Sequence, residues 1–72
     1  MKRIEVIIER SKDLFTAYSN NCEGIYGAGN TIEEVKEDVR ISIEQIKREI
    51  PEERWPDEIK SEYELSFELD NV

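Results

Sequence analysis

Histidine is absent from this sequence, and cysteine occurs once, at Cys22. Without histidine, the commonest general base and the commonest metal ligand are both missing. A single cysteine forms no intrachain disulfide, so a reducing compartment is the simpler expectation. Cys22 has only Glu23 beside it to polarise its thiol and no companions for a zinc site, so packing or loop residence is its expected role. Long apolar runs are missing too. Met1-Lys2-Arg3 is followed by Ile4-Glu5-Val6, and the first apolar run ends at Ile8, too early for a signal peptide or a membrane span. A soluble cytoplasmic protein with no membrane partner is the default. Positive charge is also scarce, with 10 Lys and Arg against 18 Asp and Glu and a formal net charge of −8. Such a chain repels phosphates, so direct nucleic-acid binding is not expected; a basic protein would be attracted and its encounter sped.

What is present amounts to one domain, residues 1–72. Only 38% of residues are hydrophobic and 39% are charged. A core this small stabilises a fold marginally, which favours association with another chain. Few strands leave sheet edges and faces open, so a homodimer or higher homo-oligomer is expected.

The best-marked stretch is Gly29-Asn30-Thr31-Ile32-Glu33-Glu34-Val35. Thr31 can cap a helix, and Glu34, three residues on, can complete a capping box by reaching back to the Thr31 amide. Apolar side chains then recur at Ile32, Val35, Val39, Ile43, Ile46 and Ile50, which at about 100° per residue form one stripe. Pro51 ends the helix, predicted over 32–49, because it has no amide proton and biases Ile50 away from helical geometry. Glu33, Glu34, Glu37 and Asp38 near the start and Lys47 and Arg48 near the end suit the helix dipole.

Around the helix the chain reads as strands. Residues 2–9 alternate, with Ile4, Val6 and Ile8 on the core side. Ser11-Lys12-Asp13 turns into a second strand over Leu14–Tyr18, paired as a hairpin. Gly24-Ile25-Tyr26-Gly27-Ala28 is a third strand, whose glycines predict a bulge or a close backbone approach. Pro51–Lys60, with Trp55-Pro56, is an irregular return. Tyr63, Leu65, Phe67 and Leu69 then alternate with Glu62, Glu64, Ser66, Glu68 and Asp70 in a fourth strand. The order β-β-β-α-β predicts an α+β two-layer sandwich, one helix on one face of the sheet.

No catalytic constellation emerges. The spacing of Gly24, Gly27 and Gly29 is neither a phosphate loop nor a dinucleotide fingerprint. No D-x-D-x-D-G loop gathers the carboxylates, which read as a solvated acidic face rather than a magnesium site. No catalytic residue, metal or cofactor is therefore expected. The recognition candidates are Ile7 on the outer sheet face among Glu5, Glu9, Glu62, Glu64 and Glu68, together with Ile41, opposite the helix stripe, and Trp55 in the return loop. If the first and last strands are neighbours, like charges lie opposite each other, at a cost that a cation or basic partner would relieve.

These residues resemble the HicB-type antitoxins. That family carries a P-D-L-P-G-like turn, a strand, and G-D-T-x-E-E-A opening the helix. Gly24 matches the turn glycine, and Gly29, Thr31, Glu33 and Glu34 match the helix start. Asn30 stands where Asp is usual and Val35 where Ala is usual, and Ser19-Asn20-Asn21-Cys22-Glu23 lacks the turn prolines. Trp55-Pro56 is similar to the proline-bearing loop before the family's last strand. The resemblance implies a partial ribonuclease H-like fold, with a mostly antiparallel four-stranded sheet in the order 3-2-1-4. It also implies that the chain binds and blocks a small basic RNA-cleaving toxin of the HicA type. Many members add a C-terminal DNA-binding motif; here the sequence stops at Asn71-Val72 with no basic helical segment, so operator binding is not expected of this chain alone.

Three readings follow in order: an antitoxin-type binding module; a stand-alone oligomeric or adaptor domain of the same fold with no toxin partner; and, well below both, a carboxylate-metal nuclease.

Overall fold

A computed structural model describes residues 1–70; Asn71 and Val72, the end of the sequence just past the fourth strand, lie outside the described residues. The elements are β1 (Lys2–Ser11), β2 (Leu14–Ser19), β3 (Tyr26–Gly29), α1 (Ile32–Glu49) and β4 (Tyr63–Asp70), with two short 3-10 turns, Glu52–Arg54 and Asp57–Ile59, ahead of β4. This is an α+β two-layer sandwich. The sheet order is β3-β2-β1-β4, antiparallel between β1 and β2 and between β2 and β3, and parallel between β1 and β4. The parallel pair arises because α1 and the return segment carry the chain across the sheet before β4 begins.

α1 has the predicted bounds. Thr31 is its N-cap, and its Oγ1 accepts from the Glu34 amide at 3.1 Å. The second half of the box is displaced by one residue: the Glu34 carboxylate accepts from the Asn30 amide at 2.8 Å rather than from that of Thr31. At the other end Ile50 is extended, and its carbonyl accepts from the Trp55 indole at 2.7 Å. The buried stripe is Val35, Val39, Ile43 and Ile46. Ile32 packs at its margin, whereas Ile50, turned out of the helix by Pro51, is exposed.

Opposite that stripe lie Ile4, Val6 and Ile8 of β1 and Ala17 of β2, with Cys22, Ile25 and Ile59 closing the ends of the core. Burying each large aliphatic side chain favours the fold by roughly 1.5–3 kcal/mol. β3 starts two residues later than expected. Gly24 instead occupies the preceding turn, at φ 87°, and Ile25 drops into the core before pairing begins. Glycine at Gly27 serves a close approach rather than a bulge: a Cβ there would lie 2.8 Å from Val39 Cγ2 and 3.0 Å from the Val35 carbonyl oxygen. The helix thus rests directly on β3.

The β2–β3 connection is fastened to β1 by one side chain. Asn21 Oδ1 accepts from the Glu5 amide at 2.9 Å, and Asn21 Nδ2 donates to the Arg3 carbonyl at 2.8 Å. In effect the Asn21 side-chain amide extends the sheet ladder past the end of β2. Ser19 Oγ supports it, donating to Asn21 Oδ1 at 3.0 Å and accepting from the Cys22 amide at 3.1 Å. Asn21→Ala removes both bonds to β1 and is expected to destabilise the domain by about 1–3 kcal/mol, measured by chemical denaturation. Asn21→Asp should recover only part of this loss, because a carboxylate cannot donate to the Arg3 carbonyl.

Candidate functional site

α1 covers one face of the sheet and leaves the other open. Alternation fixes which side chains stand on the open face: Arg3, Glu5, Ile7 and Glu9 of β1, Leu14, Thr16 and Tyr18 of β2, Tyr26 and Ala28 of β3, and Glu64, Ser66, Glu68 and Asp70 of β4. The registers align them in rows. One row crosses the whole sheet as Glu68, Ile7, Tyr18 and Tyr26; the next reads Asp70, Glu9, Thr16 and Ala28. Ile7 is half-buried at the centre, while Tyr18 and Tyr26 are 38% and 65% exposed. The open face therefore has an aliphatic-aromatic half on β2 and β3 and an acidic half on β1 and β4.

β1 and β4 are neighbours, which meets the condition for opposed like charges, yet their register relieves much of the expected repulsion. Glu64 pairs with Arg3, whose Nε lies 3.2 Å from Glu64 Oε1, an exposed ion pair contributing about 0.2–1 kcal/mol. Glu5 faces Ser66 and Glu68 faces Ile7, so Glu9 opposite Asp70 is the like-charged pair of this ladder.

Five of the eight candidate residues are thus brought together: Glu5, Ile7, Glu9, Glu64 and Glu68. Glu62 is exposed just ahead of β4, its carbonyl accepting from the Lys2 amide at 3.3 Å. Ile41 is 41% exposed on α1, the layer on the opposite side of the molecule. Trp55 is half-buried against the core, its indole committed to the Ile50 carbonyl. Sequence reasoning missed Tyr18, Tyr26 and Leu14. The signal was the phase of β2: with Ala17 inward, Tyr18 has to face out.

The helix layer does not reach fully across β4. Long basic side chains on α1 cover its inner aromatics instead, with Lys36 Nζ 5.2 Å from the Phe67 ring centroid and Lys47 Nζ 5.2 Å from that of Tyr63. A shallow groove remains there, lined by Arg40, Glu44, Tyr63, Leu65 and Phe67.

Cys22 is buried, and its thiol is pushed up to about 11, chiefly by burial, with the Glu58 and Glu23 carboxylates adding to the shift. It is held as a thiol at neutral pH and packs as a small apolar side chain. Among the described residues no three acidic or cysteine side chains come together to hold a metal, and no helix is long and apolar enough to cross a membrane.

No family model, curated protein or solved structure matches this chain.

Proposed function

We propose that this chain is a HicB-like, antitoxin-type binding module that neutralises a small basic, RNA-cleaving toxin of the HicA type by protein–protein contact in the cytoplasm. The observation that carries this reading is the open sheet face, where Glu5, Glu9, Glu64, Glu68 and Asp70 border an apolar centre at Ile7 and Tyr18. A protein that binds RNA phosphates carries a basic surface, and a carboxylate array beside apolar contacts is complementary to it. The sheet order β3-β2-β1-β4, the order implied by the resemblance, supports the same reading. A net charge of −8 disfavours direct contact with nucleic acid, so the partner is protein. No catalytic role, metal or cofactor is part of the proposal.

The second reading, a stand-alone homo-oligomeric or adaptor domain, draws on the exposed Leu14, Tyr18 and Tyr26, which a second copy could cover. Co-purification separates the two. Tagged chain recovered from its own cells should release a small basic protein as salt is raised, identified by mass spectrometry. A clean homo-oligomer with nothing attached would overturn the antitoxin reading in favour of the second.

A further inference from the structure

The two edges of the sheet are treated differently. β3, the short edge, has four residues, and its outward amides are already taken by α1: Ala28 N–H donates to Asp38 Oδ2 at 2.9 Å and Tyr26 N–H to Ser42 Oγ at 3.3 Å. β4, the other edge, runs for eight residues, Tyr63–Asp70, and contains no proline, glycine, lysine or arginine. Among the described residues no strand pairs with its far side, and no side chain hydrogen-bonds its backbone. Natural sheets blunt such an edge with short length, charged side chains, proline, a bulge or a cover. β3 is short and its amides are bonded to α1, whereas charge alone, in Glu64, Glu68 and Asp70, guards β4.

The side chains of β4 say what would fit. On the helix side Leu65 and Phe67 are only partly buried, and Leu69 is 42% exposed beyond the reach of α1. That side also carries Lys36, Arg40 and Lys47 over the aromatics, so it would reject further positive charge. On the open side stand Glu64, Glu68 and Asp70. A second copy of this chain is a poor occupant. A two-fold pair through β4 must be antiparallel; centred on Ser66 it sets Glu64 against Glu68, on Phe67 it sets Glu64 against Asp70, and on Leu65 it sets Glu68 against Glu62. Each register places carboxylates face to face.

We infer that β4 is the docking edge for a basic protein partner, which adds a fifth strand whose residues alternate apolar toward α1 and Lys or Arg toward the open face. This rests on the acidic-module reading and specifies how the partner is held: main-chain bonds along β4 give affinity, and the alternation gives phase. On the open face the added strand sets its Lys or Arg beside Glu64, Glu68 and Asp70 of β4.

The test uses the full chain at low salt and the synthetic peptide Lys-Val-Lys-Val-Lys-Val-Lys, followed by amide hydrogen exchange. The peptide should slow exchange along Tyr63–Asp70 and leave β3 unchanged. Two variants of the peptide, N-methylated on every lysine or on every valine, carry the same charge but block opposite backbone edges. One should bind at least tenfold more weakly and the other like the parent. Equal binding by all three would mean charge adsorption alone and overturn strand addition. So would protection centred on Tyr18 and Tyr26 with β4 unaffected, or β4 amides already protected in the free protein by a second copy. Failure of the parent peptide to bind overturns strand addition too, whereas the acidic-module reading falls only if co-purification also yields no basic protein.

Discussion

Gly27→Val is expected to lower the melting temperature by roughly 15 °C or more, enough to leave much of the protein unfolded under mild conditions. The first added carbon alone would stand 2.8 Å from Val39 Cγ2, 3.0 Å from the Val35 carbonyl oxygen and 3.2 Å from the Val39 amide nitrogen. Two of these three neighbours are helix backbone, which cannot rotate aside as a side-chain tip could. Relief requires α1 to lift from β3, exposing Val35 and Val39, both fully buried. Overpacking a well-filled core typically costs about 1–3 kcal/mol, and backbone neighbours place this site at the upper end. A domain of this length holds only about 4–11 kcal/mol in all. Gly27→Ala should show the same effect in smaller measure. Ala28→Val, one residue on and facing away from α1, should leave the melting curve nearly unchanged. Thermal denaturation followed by circular dichroism checks all three, and an unshifted Gly27→Val midpoint would mean that the helix does not bear on β3 in solution.

This site also shows where the sequence was and was not legible. The bounds of α1 were legible because three independent signals agreed on them: the Thr31 cap, the three- and four-residue spacing from Ile32 to Ile46, and the Pro51 stop. β1 and β4 alternate cleanly, so Glu5, Glu9, Glu64 and Glu68 were placed on the open face, whereas Glu62 falls just ahead of β4. β3 was blurred because its inward positions are Gly27 and Gly29, which carry no hydrophobic signal, while the buried Ile25 lies outside the strand. β2 has Phe15 inward and Tyr18 outward, so its aromatics marked a strand without marking a face. The strand order was not readable from periodicity at all; it came only with the family resemblance. The unequal protection of the two edges was out of reach, since it depends on Asp38 and Ser42 meeting β3 amides 10 and 16 residues away.

Reversing charge at Glu5, Glu9 and Glu68 together is expected to weaken capture of the proposed basic partner by at least ~100-fold while leaving the fold intact. All three side chains are exposed on the open face, and among the described residues none forms an ion pair or a side-chain hydrogen bond that their replacement would remove. Glu64 is left alone, because reversing it would also set two cations together at Arg3. For the partner, each reversal replaces an attraction with a like-charge contact. Three such changes at roughly 1 kcal/mol or more apiece exceed the ~2.7 kcal/mol that a hundredfold loss requires. Much of the loss should appear in the association rate, and the steep weakening of wild-type binding with salt should flatten in the variant. Stability should move the other way. Removing like charges from a chain at −8 relieves self-repulsion, above all where Glu9 faces Asp70, so the melting temperature should hold or rise slightly. Ile41→Lys, on the helix layer, tests whether the site is confined to the sheet and should leave binding unchanged. If the triple variant keeps its affinity and Ile41→Lys loses it, the partner sits on α1 rather than on the sheet. A loss of binding accompanied by a fallen melting temperature would instead mark the carboxylates as structural. Binding lost with stability retained is the result that assigns the open face to recognition.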